Sequence, residues 1–247
     1  MHRRAGVRGA PVIAFVHGGA FVRGAKDAGD GTYGNVLDWF AEQGCVGVNV
    51  EYRLAPEAAY PEGALDVAAA CAWIRANAAV HGGDPERLCL VGHSAGGTHV
   101  ATLACDPHPA VRAAPRHGAR SLVLLSARLR ADLLATNPNA DGVRAYLGAG
   151  LGEGGDGSGL LDARSPVAHA ARIDAPVLVV NAEFENPLLD LYGLEFALAV
   201  GRARGAAPLH VTLADHNHVS LVAHMGTEER WLGDAILRFA AGCERLA

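Results

Sequence analysis

A chain of 247 residues, half of them hydrophobic and 19% charged, can bury roughly 70–75% of its unfolded surface and is too apolar for disorder. Its 21 basic and 26 acidic side chains give a net charge of −5, with no cluster of cations to match nucleic-acid phosphates. No apolar run approaches the ~18 residues of a membrane span, so neither nucleic acid nor a membrane is an expected partner. With α/β domains reaching about 250 residues, one domain over 1–247 is expected. The basic start Met1-His2-Arg3-Arg4 precedes the apolar run Pro11 to Val16, an arrangement with the outline of a signal peptide. That run is short, lacks a small-residue cleavage site and leads straight into His17-Gly18-Gly19, so it reads as a strand.

Short apolar runs then alternate with helical patterns. The expected strands are Val12–Val16, Cys45–Val50, Leu88–Val91, Ser121–Leu125, Pro176–Val180 and Leu209–Leu213. Nearly unbroken by polar residues, they fit strands buried on both faces of a parallel sheet. Pro61 opens a helix whose stripe is Leu65, Ala69, Ala72, Trp73, Ala76 and Val80. Asp190 caps a second helix carrying Leu191, Leu194 and Leu198. Thr227 starts a third, with Leu232, Ile236 and Phe239 facing inward. Strand–helix alternation implies an α/β fold with a mostly parallel sheet flanked by helices. The long Ala127–Arg172 segment, with the glycine-rich stretch Gly148–Gly159 inside it, is expected to form a small cap or lid. Cys45, Cys71, Cys89, Cys105 and Cys243 stand singly among apolar neighbours, with no C-x-x-C pair. This suggests neither a disulfide framework nor a thiolate zinc site, and reduced thiols in a core suit a cytoplasm.

The chemistry concentrates in two turns and two later loops. Gly92-His93-Ser94-Ala95-Gly96-Gly97 follows one strand and opens a helix. A nucleophilic serine lifted clear of a sheet needs a sharp, strained turn with small flanking residues, and the helix start offers N–H groups to developing negative charge. His17-Gly18-Gly19-Ala20-Phe21 follows the first strand, where two glycines allow Gly18 and Gly19 to aim N–H groups at the same point as Ala95. A serine needs a base, and the base an orienting acid, in the chain order Ser, acid, His. The loop after Pro176–Val180 supplies Glu183 and Glu185; the loop after Leu209–Leu213 supplies His216 and His218, either of which fits. His216, His218 and Asp215 together make a weak metal-ligand pattern, so neither a metal nor a cofactor is expected.

These turns, with Glu51-Tyr52-Arg53-Leu54-Ala55-Pro56-Glu57 and Tyr60-Pro61, resemble the α/β-hydrolase carboxylesterases of the hormone-sensitive-lipase-like type and their kynurenine formamidase (arylformamidase) relatives. The resemblance implies Ser94 as nucleophile, Gly18, Gly19 and Ala95 as oxyanion donors, and Glu185 as acid, with Asp190 and Glu183 as fallbacks. It favours His218 over His216 as base and gives Tyr52-Arg53 a structural role beneath the oxyanion turn. It implies hydrolysis of a small-molecule ester or amide; an acyltransferase, or a ligand-binding homologue without catalysis, would share the fold. Departures are Ala20 where a third glycine is usual, and His93 where the lipase-like branch carries an acid. Family members also place two strands before the first turn, where sixteen residues stand here; a later start site than the natural one would account for this equally. The strand Cys45–Val50 would then be an open edge, covered by the N-terminal arm or by a second copy in a homo-oligomer.

Overall fold

The computed structural model describes residues 1–26, 32–151 and 157–242; Cys243 and the middle of the Gly148–Gly159 stretch lie outside them. The strands are β1 (Ala10–Val16), β2 (Val46–Val50), β3 (Gly83–His93), β4 (Ser121–Leu125), β5 (Val177–Phe184) and β6 (Leu209–Asn217). They form one parallel sheet in the order β2-β1-β3-β4-β5-β6. Each expected strand is present, with β3 starting earlier and β5 and β6 running further. Val12, Ile13, Ala14, Phe15 and Val16 are all fully buried, as strands covered on both faces require.

The helices are α1 (Gly34–Glu42), α2 (Glu62–Asn77), α3 (Ala95–Cys105), α4 (Pro109–Ala113), α5 (Ala140–Tyr146), α6 (Ser158–Ala163), α7 (Pro166–His169), α8 (Leu189–Arg204), α9 (Ser220–Ala223) and α10 (Trp231–Ala240). One core layer joins α2, α3 and α8 to the sheet through residues such as Val67, Ile74, Val100 and Phe196. The opposite layer packs α1 and α10 through Leu37, Phe40, Ile236 and Phe239.

Three helix readings need correction. The buried face of α2 is Ala64, Val67, Ala68, Cys71 and Ile74, while Trp73 and Val80 of the expected stripe are exposed. Small residues let this helix sit close to its neighbours: a Cβ on Gly63 would overlap the His99 ring. On α8, Leu191, Leu194 and Leu198 face solvent, and Leu189, Tyr192, Phe196 and Val200 turn inward. Leu232, Ile236 and Phe239 are buried as expected, but α10 begins at Trp231. Thr227 serves a preceding turn instead, its hydroxyl donating to the His224 carbonyl at 2.7 Å and accepting the Glu229 N–H at 3.2 Å.

At the β2 edge, the N-terminal arm forms an antiparallel bridge between His2 and Gly47, with N–H···O distances of 2.9 and 2.8 Å. The His2 ring meets Asp38 of α1 at 2.6 Å, fixing the arm to that helix. The arm thus covers one position of the edge.

The strand order reverses direction between β1 and β3, so the loops leaving these strands diverge and open a crevice at their carboxyl ends. In the segment between β4 and β5, described residues fold back over this end. Its Val143, Tyr146, Leu147 and Leu161 form a separate apolar cluster with Phe21 and Ala95. Its base is pinned by Arg128, whose buried guanidinium donates to Asp132 at 2.7 Å and Asn137 at 3.0 Å.

Candidate active site

The turn after β3 is strained in the way an exposed serine demands. Ser94 has φ 53° and ψ −119°, a left-handed conformation costly for a residue with a side chain. It persists because its surroundings over-determine it. The Ser94 N–H donates to the Leu125 carbonyl at 2.9 Å, and its carbonyl accepts from Thr98 N–H at 3.2 Å. A Cβ on Gly96 would overlap the Val16 carbonyl, and one on Gly92 would lie 2.6 Å from the Gly96 oxygen. The G-x-S-x-G spacing is therefore a packing requirement between β1, β3 and α3.

Ser94 is the N-cap of α3 but makes no capping bond. Its hydroxyl instead donates to His218 Nε2 at 3.0 Å, and His218 Nδ1–H donates to Glu185 Oε1 at 2.6 Å. The strand register explains the meeting: Phe184 of β5 lies opposite Asn217 of β6, so the next residues, Glu185 and His218, leave the sheet side by side. The Glu185 side chain is only 3% exposed, which strengthens its bond to the imidazole. Burial pushes its carboxyl up, but the hydrogen bond and charge of His218, with the Asn186 N–H at 2.9 Å, outweigh this and hold it below the usual glutamate range.

The other candidates go elsewhere. Glu183 is exposed and accepts the Asp215 N–H at 2.8 Å; Asp190 is exposed in the first turn of α8. His216 bonds to Ser220 and Glu229 and does not join the relay. The weak metal-ligand pattern of Asp215, His216 and His218 is not assembled, because the two ring nitrogens of His218 are taken by Ser94 and Glu185.

The turn after β1 runs through Gly19 (φ 130°), Ala20 (φ 51°) and Phe21 (φ 70°). Gly18 lies against the Ser94 turn, since a Cβ there would sit 3.2 Å from Ser94 Cβ. Ala95 opens α3, so its N–H has no acceptor within the helix. Ala20 keeps the left-handed conformation without being glycine, held from above by α5: a Cβ on Gly142 would overlap the Ala20 carbonyl. From below, Tyr52 donates its hydroxyl to the His17 and Gly18 carbonyls at 3.2 and 3.4 Å and stacks on the His17 ring at 4.4 Å. Arg53 forks onto Asp66 and Glu62, fixing the segment that carries Tyr52.

Two residues make contacts that the sequence did not foretell: His93, noted there only as a departure, and Tyr33. His93 Nε2–H donates to the His218 carbonyl at 2.9 Å, and His93 Nδ1 accepts from the Tyr33 hydroxyl at 3.3 Å. Burial, with His218 nearby, pushes the His93 imidazole down to about 3, so it is neutral and this tautomer is the one that satisfies both partners. The signal was present in His93 standing next to the serine, but its partner lies 125 residues away.

The parallel sheet and its flanking helices make the α/β-hydrolase fold. Residues 3–108 match the family model described as BD-FAE. Over 95 residues the chain is 46% identical to esterase LipC of Mycobacterium tuberculosis, covering 38% of this chain and 23% of the relative. Over 99 residues it is 41% identical to carboxylesterase NlhH of the same organism, covering 38% of this chain and 28% of the relative. The chain therefore spans about a quarter of the length of the curated relatives it matches. Among solved structures, a hyperthermophilic esterase from Pyrobaculum calidifontis superposes with a TM-score of 0.72 at 22% identity, covering 98% of this chain and 79% of that one. The resemblance to the carboxylesterase group of α/β-hydrolases is borne out, in sequence over the first hundred residues and in fold over nearly the whole chain.

Proposed function

We propose that the chain is a serine hydrolase that cleaves small carboxylic esters through an acyl-enzyme. The observation that carries this is the continuous relay from Ser94 Oγ through His218 to the buried Glu185. The names of the relatives agree with it. In this reading His218 Nε2 takes the Ser94 proton as Oγ attacks the acyl carbon, while Glu185 holds the imidazole in the tautomer that leaves Nε2 free to accept. Gly18, Gly19 and Ala95 N–H groups hold the tetrahedral oxyanion; losing one such donor typically costs ~10²–10³ in turnover. Collapse expels the alcohol, which takes the proton from His218. A water then attacks the acyl carbon, gives its proton to His218, and Ser94 recovers it as the acid leaves.

The segment 127–172 acts as the cap that shapes the acyl pocket. No helix among the described residues is long and apolar enough to cross a membrane. A cytoplasmic setting suits the free, buried Cys45, Cys71, Cys89 and Cys105. Self-association through the part of the β2 edge beyond the His2 bridge belongs to the same reading, and a monomer at high concentration in sedimentation counts against it.

The test is hydrolysis of p-nitrophenyl acetate by wild type and Ser94→Ala, with far-UV circular dichroism to verify the fold. A folded variant without turnover is expected; undiminished turnover would mean another nucleophile. Extending the panel to aryl amides, N-formylkynurenine and acyl acceptors separates ester hydrolysis from formamide hydrolysis and acyl transfer.

A further inference from the structure

Beyond the relay, the end of β6 and the turn between α9 and α10 bring three ligand-bearing side chains together. His216 Nε2 lies 3.1 Å from Glu229 Oε2, and His224 Nδ1 lies 3.0 Å from the same oxygen. The three donor atoms all fall within 4.8 Å of one another. We propose that His216, His224 and Glu229 bind a divalent transition ion of the zinc type, with water in the open position.

The geometry is near that of such a site. Three ligands at about 2.0–2.1 Å from a tetrahedral ion stand roughly 3.3 Å apart, slightly wider than the two imidazole–carboxylate distances here, and the two imidazole nitrogens lie within 4.8 Å of each other. Two imidazoles and one carboxylate suit zinc-like ions better than calcium or magnesium, which prefer oxygen. The cluster opens into a crevice of about 270 Å³ that reaches Asp215 and Met225, leaving room for a solvent ligand.

Supporting bonds orient the ligands. His216 Nδ1 faces Ser220 Oγ at 3.2 Å; that hydroxyl also accepts the Asn217 N–H at 2.9 Å and reaches the Asn217 carbonyl at 3.4 Å. A hydroxyl that gives its proton to the carbonyl accepts from His216 Nδ1–H, and the Nε2 lone pair then points at the ion. The Thr227 turn fixes the spacing of His224 and Glu229. Without an ion, two imidazole nitrogens compete for one carboxylate oxygen; a divalent cation would take a lone pair from each, with the imidazole proton on the other ring nitrogen.

The charges facing the cluster permit this. Arg230 lines the crevice, but its guanidinium is drawn to Asp234 at 3.3 Å and Gln43 at 3.2 Å and sits over the Trp39 ring. Asp215 also lines the crevice and adds a negative charge. Because His216 lies near the end of the edge strand β6 and His224 and Glu229 belong to the α9–α10 turn, the ion would clamp that turn to the sheet, two residues from His218.

The experiment uses chelator-treated full-length protein, without an affinity tag, titrated with Co²⁺ and Zn²⁺. The proposal expects the visible bands of tetrahedral cobalt, one ion per chain, displaced by Zn²⁺. At a hundredfold excess over the dissociation constant, zinc should raise the melting midpoint by about 5–10 °C. His224→Ala and Glu229→Gln, both at half-exposed side chains, should fold and weaken zinc binding by at least tenfold. Saturation with no visible bands, or equal affinity in wild type and both variants, would place the ion elsewhere and overturn the site; so would no binding at all. None of these readouts depends on ester hydrolysis.

Discussion

The first hundred residues and the segment between β4 and β5 meet at the same crevice but are built by different rules. In the former, function is written in backbone: Ser94 at positive φ, Gly96 pressed on the Val16 carbonyl, and Gly18 against Ser94. Such demands admit few residue types, so they leave a spaced pattern in the sequence. The latter touches the site through side-chain packing, with Val143, Tyr146 and Leu147 on Phe21 and Ala95. Many apolar sets fill such a space equally well. Backbone constraints can be read from one chain; the shape of a packed cap cannot.

The largest effect should come from violating the first rule. Gly96→Val puts a branched side chain into the Val16 carbonyl, and both folding stability and turnover should collapse, with roughly 4 kcal/mol or more lost in urea unfolding. A variant of normal stability would show that the elbow has slack.

Next comes Glu185→Gln, which keeps the shape but removes the negative charge facing His218 Nδ1–H and can turn an amide N–H toward that nitrogen; turnover should fall by about 10²–10⁴ without unfolding. Glu183→Gln, whose carboxylate accepts only a backbone N–H from Asp215, should lose less than about tenfold. Steady-state kinetics on the two variants compares neighbouring carboxylates directly. Equal losses would remove the distinction drawn from the strand register.

Gly142→Ala asks whether the cap is mechanically tied to the oxyanion turn. Its Cβ would overlap the Ala20 carbonyl, so the turn must move, and kcat should drop by about tenfold or more on short and long esters alike. A change confined to long acyl chains would instead make α5 a wall and nothing else.

The smallest effect is expected at Leu194→Ser on the exposed side of α8, within about 0.5 kcal/mol of wild type in thermal unfolding. A larger loss would mean that this apolar stripe is covered in solution.

The same contrast explains what was legible in the sequence. The inner strands could be read because burial on both faces makes them nearly unbroken apolar runs, and the half-exposed edge strand β6 through Leu209, Val211 and Leu213 alternating with His210 and Thr212. The inward face of α2 could not, since Ala64, Ala68 and Cys71 bury small side chains while the bulky Trp73 stays exposed. Ser94 announced itself through its turn. The choice of His218 over His216 and of Glu185 over Glu183 came from family resemblance, and its physical basis is the pairing of Phe184 with Asn217, a register that no local pattern encodes. His93 and Tyr33 act across still longer separations, on the backbone of His218, and left no periodic trace.

Reaction of the intact protein with a fluorophosphonate, followed by mass spectrometry of the labelled peptide, tests the central claim most directly. The account predicts a single adduct on Ser94, absent from folded Ser94→Ala. A wild-type chain that stays unlabelled, or an adduct on another residue with ester hydrolysis surviving in Ser94→Ala, would contradict it.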